Sequence, residues 1–286
     1  MKRTTVFLFL LSLLLWGGLG YYWYQSTHES RGVLTIAFLD IGQGDAVYIR
    51  TPEGKQMLYD AGPDSVVVRR LNDVMPFLSR TLDMIVLSHP DQDHVAGFSD
   101  ILRRLAVKVI IDSGYVGEVG NPFYQDILTL AKEKDIPVLW GGKGTVIDLG
   151  GDVKGEILSP DGKYSVGDTN IASIVLRLTF GSTSVLLTGD LPSEREEKLV
   201  SEYGGMLDVD IFKAGHHGSN TSSGETLLRA MTPQLIVVSS GKGNRYGHPS
   251  TSVTERFDRL GIPWVNTADK GTIILESDGK EWRMKK

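Results

Sequence analysis

The sequence predicts an α/β protein in which two mixed β-sheets pack face to face with helices outside. Three observations point there. Apolar strand-like runs gather at the start of each half, strand and helix patterns alternate later, and most strands exit into a short loop carrying His, Asp or Gly. A chain of 286 residues is long enough to bury a substantial core.

The elements follow in order. After Lys2 and Arg3, the stretch Val6 to Tyr24 carries no charge and ends in Trp and Tyr, as suits a span that meets the membrane interface. Residues 1–24 are therefore read as an uncleaved anchor, with a signal peptide cut near Gly18-Leu-Gly20 as the rival. The positive residues come first, so the remainder would be exported: a single-pass cell-membrane protein with an extracytoplasmic domain, or a secreted one if cleaved. Residues 25–32, "QSTHESRG", form a polar linker in which His28 is solvated. From 33 to 286 no Pro/Ser-rich break intervenes, which predicts one catalytic domain.

That domain opens with strands at Val33–Leu39, Ala46–Arg50 and Gln56–Tyr59, separated by Gly- and Pro-bearing turns. Apolar positions Val66, Val67, Leu71, Val74 and Phe77 predict a helix. A strand ending at Ser88, a helix over Phe98–Leu105, a strand at Val107–Ile111 and a helix over 123–134 follow. Further strands lead to Ile171–Phe180 and Ser184–Thr188. Then strand Val209–Phe212, helix Glu225–Met231, strand Gln234–Ser239 and helix Ser252–Leu260 alternate, and strands at Thr272–Glu276 and near Trp282 close the chain.

Composition removes several chemistries. With no cysteine there are no disulfides, thiolate metal sites or cysteine nucleophiles. A net charge of −5 lacks the basic excess that a protein gripping long nucleic acid shows, although a nucleotide-sized substrate remains compatible.

What remains collects in the strand-exit loops. "SHPDQDH" packs His89, Asp91, Asp93 and His94 into six residues, "LLTGD" adds Asp190, "FKAGHHGS" adds His216 and His217, and "NRYGHPS" adds His248. Imidazole and carboxylate are common ligands of divalent ions, and a cation removes the repulsion that clustering them costs. Asp190 could bridge two ions about 3.5–4 Å apart, which would clamp a phosphate or carbonyl oxygen. Asp40, Asp45 and Asp60, taken singly, read as turn residues. Lys213, Lys242 and Arg245 stand close enough to the histidines to hold a phosphate oxygen, or are ordinary surface charges. Ser219 and Ser222 would contact substrate or cap the next helix.

"LYDAG", "HPDQDH", "LLTGD" and the later histidine loops resemble the metallo-β-lactamase superfamily, whose signature is HxHxDH. "FLDIGQGDAVYI", "SHPDQDHVAG", "NIASIVL", "HHGSNTSS" and "YGHPS" are similar, in order over about residues 33 to 278, to the hydrolase domains of ComEC-type competence proteins. The resemblance implies a four-layer αββα sandwich and metal-dependent hydrolysis, expected on phosphodiesters. Two departures stand out. Asp91 occupies the second histidine position, and no histidine lies between His94 and His216. More carboxylate and less imidazole favours harder ions, so Mn²⁺ and Mg²⁺ stand beside Zn²⁺.

The mechanism expected is a phosphodiesterase or nuclease holding one or two ions on His89, Asp91, Asp93, His94, Asp190 and one of His216 and His217. Asp93 would be catalytic, Asp60 would orient a ligand, and His248 would be a last ligand or the general acid. Lys213, Ser219, Lys242 and Arg245 would face substrate. The transporter that accompanies such domains is absent from this chain, so a separate DNA-uptake channel is the expected partner. The alternatives are a hydrolase of a surface ester, lactam or phosphocholine, and a non-catalytic anchored module of a DNA-uptake assembly.

Overall fold

Period-two burial sets the layers. In strand β1 (Leu34–Phe38), Leu34, Ile36 and Phe38 enter one core while Ala37 enters another. The same alternation repeats across both sheets of this computed structural model, which describes residues 3–28, 32–117, 122–165 and 168–285, the side chains of 3–4 and 22–28 excepted.

The first half lays down β2 (Val47–Arg50), β3 (Gln56–Tyr59), β4 (Thr81–Leu82), β5 (Met84–Leu87), β6 (Ala106–Val107), β7 (Ile110–Asp112) and β8 (Val138–Trp140). The second half contributes β9 (Val146–Asp148), β10 (Val153–Ser159), β11 (Val175–Phe180), β12 (Thr183–Leu187), β13 (Ile211–Lys213), β14 (Leu235–Val238) and β15 (Trp264–Asn266). Strands β16 (Ile273–Ser277) and β17 (Trp282–Met284) return to the first sheet, whose order is β17-β16-β1-β2-β3-β5-β7-β8. The second sheet runs β15-β14-β13-β12-β11-β10-β9, and β4 pairs with β6 apart from both.

Each large sheet is antiparallel on one side and parallel on the other: β3, β5, β7 and β8 run parallel in the first, β12 to β15 in the second. Three apolar layers result. Ile36, Phe38, Val86, Leu176 and Val185 lie between the sheets. Helices Val66–Val74, Gly97–Arg104 and Pro122–Glu133 cover the outer face of the first sheet through Leu71, Phe98 and Ile127. Helices Ser193–Tyr203, Glu225–Met231 and Thr251–Leu260 cover the second through Leu199, Leu228 and Phe257. This is the four-layer αββα sandwich.

Parallel strands joined by helices bring their carboxyl ends, and the loops that leave them, to a common edge. The Tyr59 hydroxyl donates to the Ile174 carbonyl (2.6 Å) and the Ile174 amide donates to the Ser88 carbonyl (2.9 Å), tying the two halves together beside the "SHPDQDH" loop.

Several elements depart from expectation. The strand expected at Val107–Ile111 divides into β6 and β7. Ile171 and Ala172 belong to a 3₁₀ turn, Thr169–Ala172, before β11 begins. Helix Ser193–Tyr203 was not foreseen, because its exposed face is almost wholly charged and its buried face includes Glu196. The strand-exit loop expected around His89 and His94 contains a short helix, Gln92–Val95. The amino-terminal segment forms one helix, Arg3–His28. Among the described residues, no helix is long and apolar enough to cross a membrane.

Candidate metal centre

The "SHPDQDH" segment leaves β5 and turns at once into the short helix, so His89 precedes the turn and Asp93 and His94 lie on the helix. His89 and His94 are both wholly buried, their rings 4.1 Å apart. From the second sheet, the loop after β12 brings Asp190 and the loop after β13 brings His216 and His217. Both of these histidines have left-handed backbone (φ 48° and 56°), and their rings stand 6.0 Å apart and nearly perpendicular.

Asp190 is the hub. Its carboxylate lies 3.2 Å from His94 Nε2, 3.5 Å from His216 Nε2, 3.6 Å from His217 Nε2 and 4.0 Å from His89 Nε2. His217 Nε2 is also 3.3 Å from Asp93, and His89 Nε2 is 3.8 Å from Asp91. The Nε2 atoms of His89, His94 and His217, with Asp190 Oδ1, are buried and make no hydrogen bond. A folded protein rarely leaves so many buried polar atoms unsatisfied in one place, and a cation is what this set of lone pairs would satisfy. The residues therefore fit a divalent ion.

The opposite ring nitrogens are engaged. His94 Nδ1 lies 2.8 Å from Asp60, whose carboxylate also accepts the Ser88 amide (2.8 Å) and hydroxyl (2.7 Å). His217 Nδ1 lies 3.1 Å from Asp45, whose other oxygen takes the Lys213 ammonium. Such carboxylates fix the tautomer and aim Nε2 at the ion. One ligand atom each from Asp45, His94, Asp190 and His217 lies within 4.8 Å of the others. Both Asp45 oxygens already serve His217 and Lys213, which leaves Asp190 and Asp93 as the carboxylates freer to hold an ion.

Charge follows geometry. Burial alone would keep His94 neutral, but Asp190 and Asp60 outweigh it and raise its pKa well above the usual value. Against the same burial, Asp190 and Asp45 push His217 up to about 9. His89 is lowered by burial and by its neighbour His94. Burial opposes ionisation of Asp190 and Asp93, yet the surrounding imidazoles hold both below the carboxylate range. An ion in this space takes over as counter-charge to the carboxylates, and its binding expels protons.

The remaining sites divide. Asp91 sits at the rim, its Oδ1 accepting the Thr169 hydroxyl at 2.5 Å. His248 is partly buried, with its ring 5.8 Å from His216 and 5.7 Å from Tyr246. Arg245 is exposed beside a cleft that opens at Asp93, whereas exposed Lys242 does not line that cleft. The expectation for Lys213 is corrected, and for Ser219 and Ser222 the helix-cap alternative fails. Lys213 is fully buried and paired with Asp45, so it cannot reach substrate from that position. Ser219 shapes its own loop through Thr221 (Oγ to Oγ1, 3.0 Å), and helix Glu225–Met231 begins at Gly224 without a side-chain cap. Ser222 is buried on the Leu191 carbonyl (2.8 Å) and makes no cap either. Of the three acids read singly as turn residues, Asp40 pairs with Arg70 (2.6 Å), and Asp45 and Asp60 orient the site.

Two supporting contacts give tests. Gly44 has φ +128°, and a Cβ there would lie 2.2 Å from the Asp93 carbonyl. Gly44→Ala is expected to cost about 2 kcal/mol in urea unfolding and to displace Asp93, weakening metal uptake. Glu196 is buried, and its two oxygens accept the Ser223 and Gly224 amides at 2.8 Å, holding the histidine loop closed. Burial outweighs those donors and Arg256 and pushes its pKa up to about 7, against 4.5 when unfolded. Its contribution to stability is whole below 4.5 and is lost as pH rises through 7. From pH 5 to 8 the protein should lose roughly 2–3 kcal/mol that Glu196→Gln, which cannot ionise, does not lose.

A His/Asp centre at one edge of an αββα sandwich defines a class of metal-dependent hydrolases. The chain belongs to the metallo-β-lactamase superfamily, whose family model matches residues 39–241. It is 31% identical over 259 residues to ComE operon protein 3 of Bacillus subtilis (strain 168), covering 83% of this chain and 32% of that protein. It is 34% identical over 267 residues to Competence protein ComA of Neisseria gonorrhoeae, covering 92% and 35%. The chain thus spans about a third of the length of these curated relatives. Among solved structures it resembles Igni18, a metallo hydrolase of Ignicoccus hospitalis (TM-score 0.52, 11% identity, covering 85% of this chain and 98% of that one). CmlA, a diiron β-hydroxylase of Streptomyces venezuelae, shares the fold at TM-score 0.51 and 14% identity, covering 81% and 52%.

Proposed function

We propose that this protein is a membrane-anchored, extracytoplasmic phosphodiesterase that acts on nucleic acid. The observation that carries the reading is the convergence of three unsatisfied imidazole Nε2 atoms on Asp190 and Asp93. The sequence likeness to competence proteins supports a phosphodiester substrate, and a DNA-uptake channel is the partner proposed with it. A divalent ion bound there supplies Lewis-acid polarisation of a phosphoryl oxygen and a water acidic enough to attack near neutral pH.

The chain's own residues do the rest. Asp60 and Asp45 hold His94 and His217 in the tautomer that presents Nε2. Asp190 and Asp93 supply the negative charge that keeps a cation in place, and the carboxylate-rich rim at Asp91 suits Mn²⁺ or Mg²⁺ beside Zn²⁺. His248, whose ring lies 5.8 Å from that of His216, is the residue we assign as proton donor to the leaving oxygen. Arg245 is the residue we assign to hold a non-reacting phosphate oxygen.

The test uses the full chain purified in detergent. Bound metal is measured, and hydrolysis of single-stranded DNA, bis-p-nitrophenyl phosphate and nitrocefin is followed with Mn²⁺ or Zn²⁺. Diester cleavage that chelation abolishes is expected; turnover of nitrocefin alone moves the chain to the lactam reading, and absence of both metal and turnover removes the enzyme reading. For the anchor, retention in alkali-washed membranes is expected, and full release would count against it.

A further inference from the structure

Resting on the diesterase reading, we propose that the cleft beside Asp93 is a nucleobase subsite, in which Tyr246 with Arg245 forms a stacking platform and Gln43 reads an acceptor on the nucleotide. The cleft measures about 560 Å³, within the range of small-ligand sites, and its lining includes Gln92 and Asp93 of the metal-centre segment. It is built where the two halves meet: the Gln43 Oε1 accepts the Gly241 amide at 3.2 Å. That contact anchors the Gln43 amide and leaves its Nε2 buried without a hydrogen-bond partner. A shielded, unsatisfied donor beside a cleft is a specificity element, because it rewards a ligand that brings an acceptor and penalises one that does not.

The remaining walls suit a base. Ile41 is apolar, and Tyr246, which also lines the cleft, leaves 53% of its surface exposed. The Arg245 guanidinium carbon lies 4.8 Å from the Tyr246 ring centroid, so planar cation and ring form one platform. Tyr246 in turn stacks on His248 (23° between planes), and His248 meets His216 edge-on, a line of rings that runs from the cleft to the metal centre. A phosphodiester at the ion therefore places an adjoining unpaired base within the cleft. Stacking on an aromatic face tolerates any base, which predicts binding to single-stranded nucleic acid with little sequence preference.

The test separates base from backbone and binding from chemistry. Full-length protein in EDTA is titrated into an end-labelled single-stranded thymidine 12-mer and into the same backbone made of abasic units, read by fluorescence anisotropy. The base-bearing strand should bind roughly 10–100-fold tighter, the range that base–aromatic stacking supports. Tyr246→Ala should collapse that ratio toward one, Tyr246→Phe should keep most of it, and Gln43→Ala should reduce it in part. Equal binding of the two strands by the parent protein, or a ratio unchanged in Tyr246→Ala, overturns the subsite. Because no turnover is read, base-selective binding without cleavage leaves the subsite standing and refutes the diesterase reading alone, and cleavage without base selectivity does the reverse.

Discussion

Asp190→Ala is expected to abolish tight divalent-ion binding and to lower metal-dependent diester hydrolysis by at least about 1,000-fold, the equivalent of about 4 kcal/mol of transition-state stabilisation. No other carboxylate among the described residues lies within 4.0 Å of four imidazole Nε2 atoms. Removing it leaves those lone pairs facing one another without the anion that would hold a cation among them. Isothermal titration with Mn²⁺ and Zn²⁺ gives the binding loss, and bis-p-nitrophenyl phosphate turnover gives the rate. Asp73→Ala, an exposed acid on helix Val66–Val74, is the comparison and should change neither. A variant at Asp190 that kept parental metal affinity would show that the ion, if any, sits elsewhere.

Lys213→Met should unfold at markedly lower urea, with a loss of about 3–5 kcal/mol, because it strands a buried carboxylate. Asp45 is inaccessible, and its pKa is lowered against the cost of burial by Lys213 first and His217 next. Without the ammonium, Asp45 keeps His217 and the more distant His94 (4.0 Å), and the ring that it orients loses a fixed position. Metal affinity should fall together with stability, and Lys213→Met/Asp45→Asn should recover part of the stability, since a neutral pair need not be solvated. A substrate-contacting lysine would behave differently: KM would rise while the unfolding midpoint stayed put.

These two residues mark where sequence reasoning reached and where it stopped. Asp190 was legible because its loop shares a pattern with the histidine loops: apolar strand, then a turn rich in metal-competent side chains. Lys213 looked like a phosphate contact because it stands two residues before "GHHG", and proximity along the chain says nothing about which face of a strand a side chain takes. A signal was present nonetheless. A lysine at the end of the apolar run Ile211-Phe212 is a charge in a buried strand, and such a charge demands a partner. Its partner lies 168 positions away, in a loop where Asp45 alone reads as a turn residue. Glu196 and Gln43 were invisible for the same reason, since each acquires its role from a backbone amide of a distant loop.

Beyond the resemblance, which marks Asp91 in place of an imidazole, the sequence by itself determined the layered α/β class and the metal-competent residue types of the strand-exit loops. Those properties live in local patterns, namely burial period, strand-to-loop transitions and residue type, which are complete within a short window of chain. Tertiary structure alone decided that His217 turns inward and His216 toward the rim, that Asp45 and Asp60 orient the imidazoles, and that a cleft with an unsatisfied amide opens beside Asp93. Each of those depends on which ring nitrogen meets which distant carboxylate, and that is set only when two sheets, each built from a different half of the chain, are packed against one another.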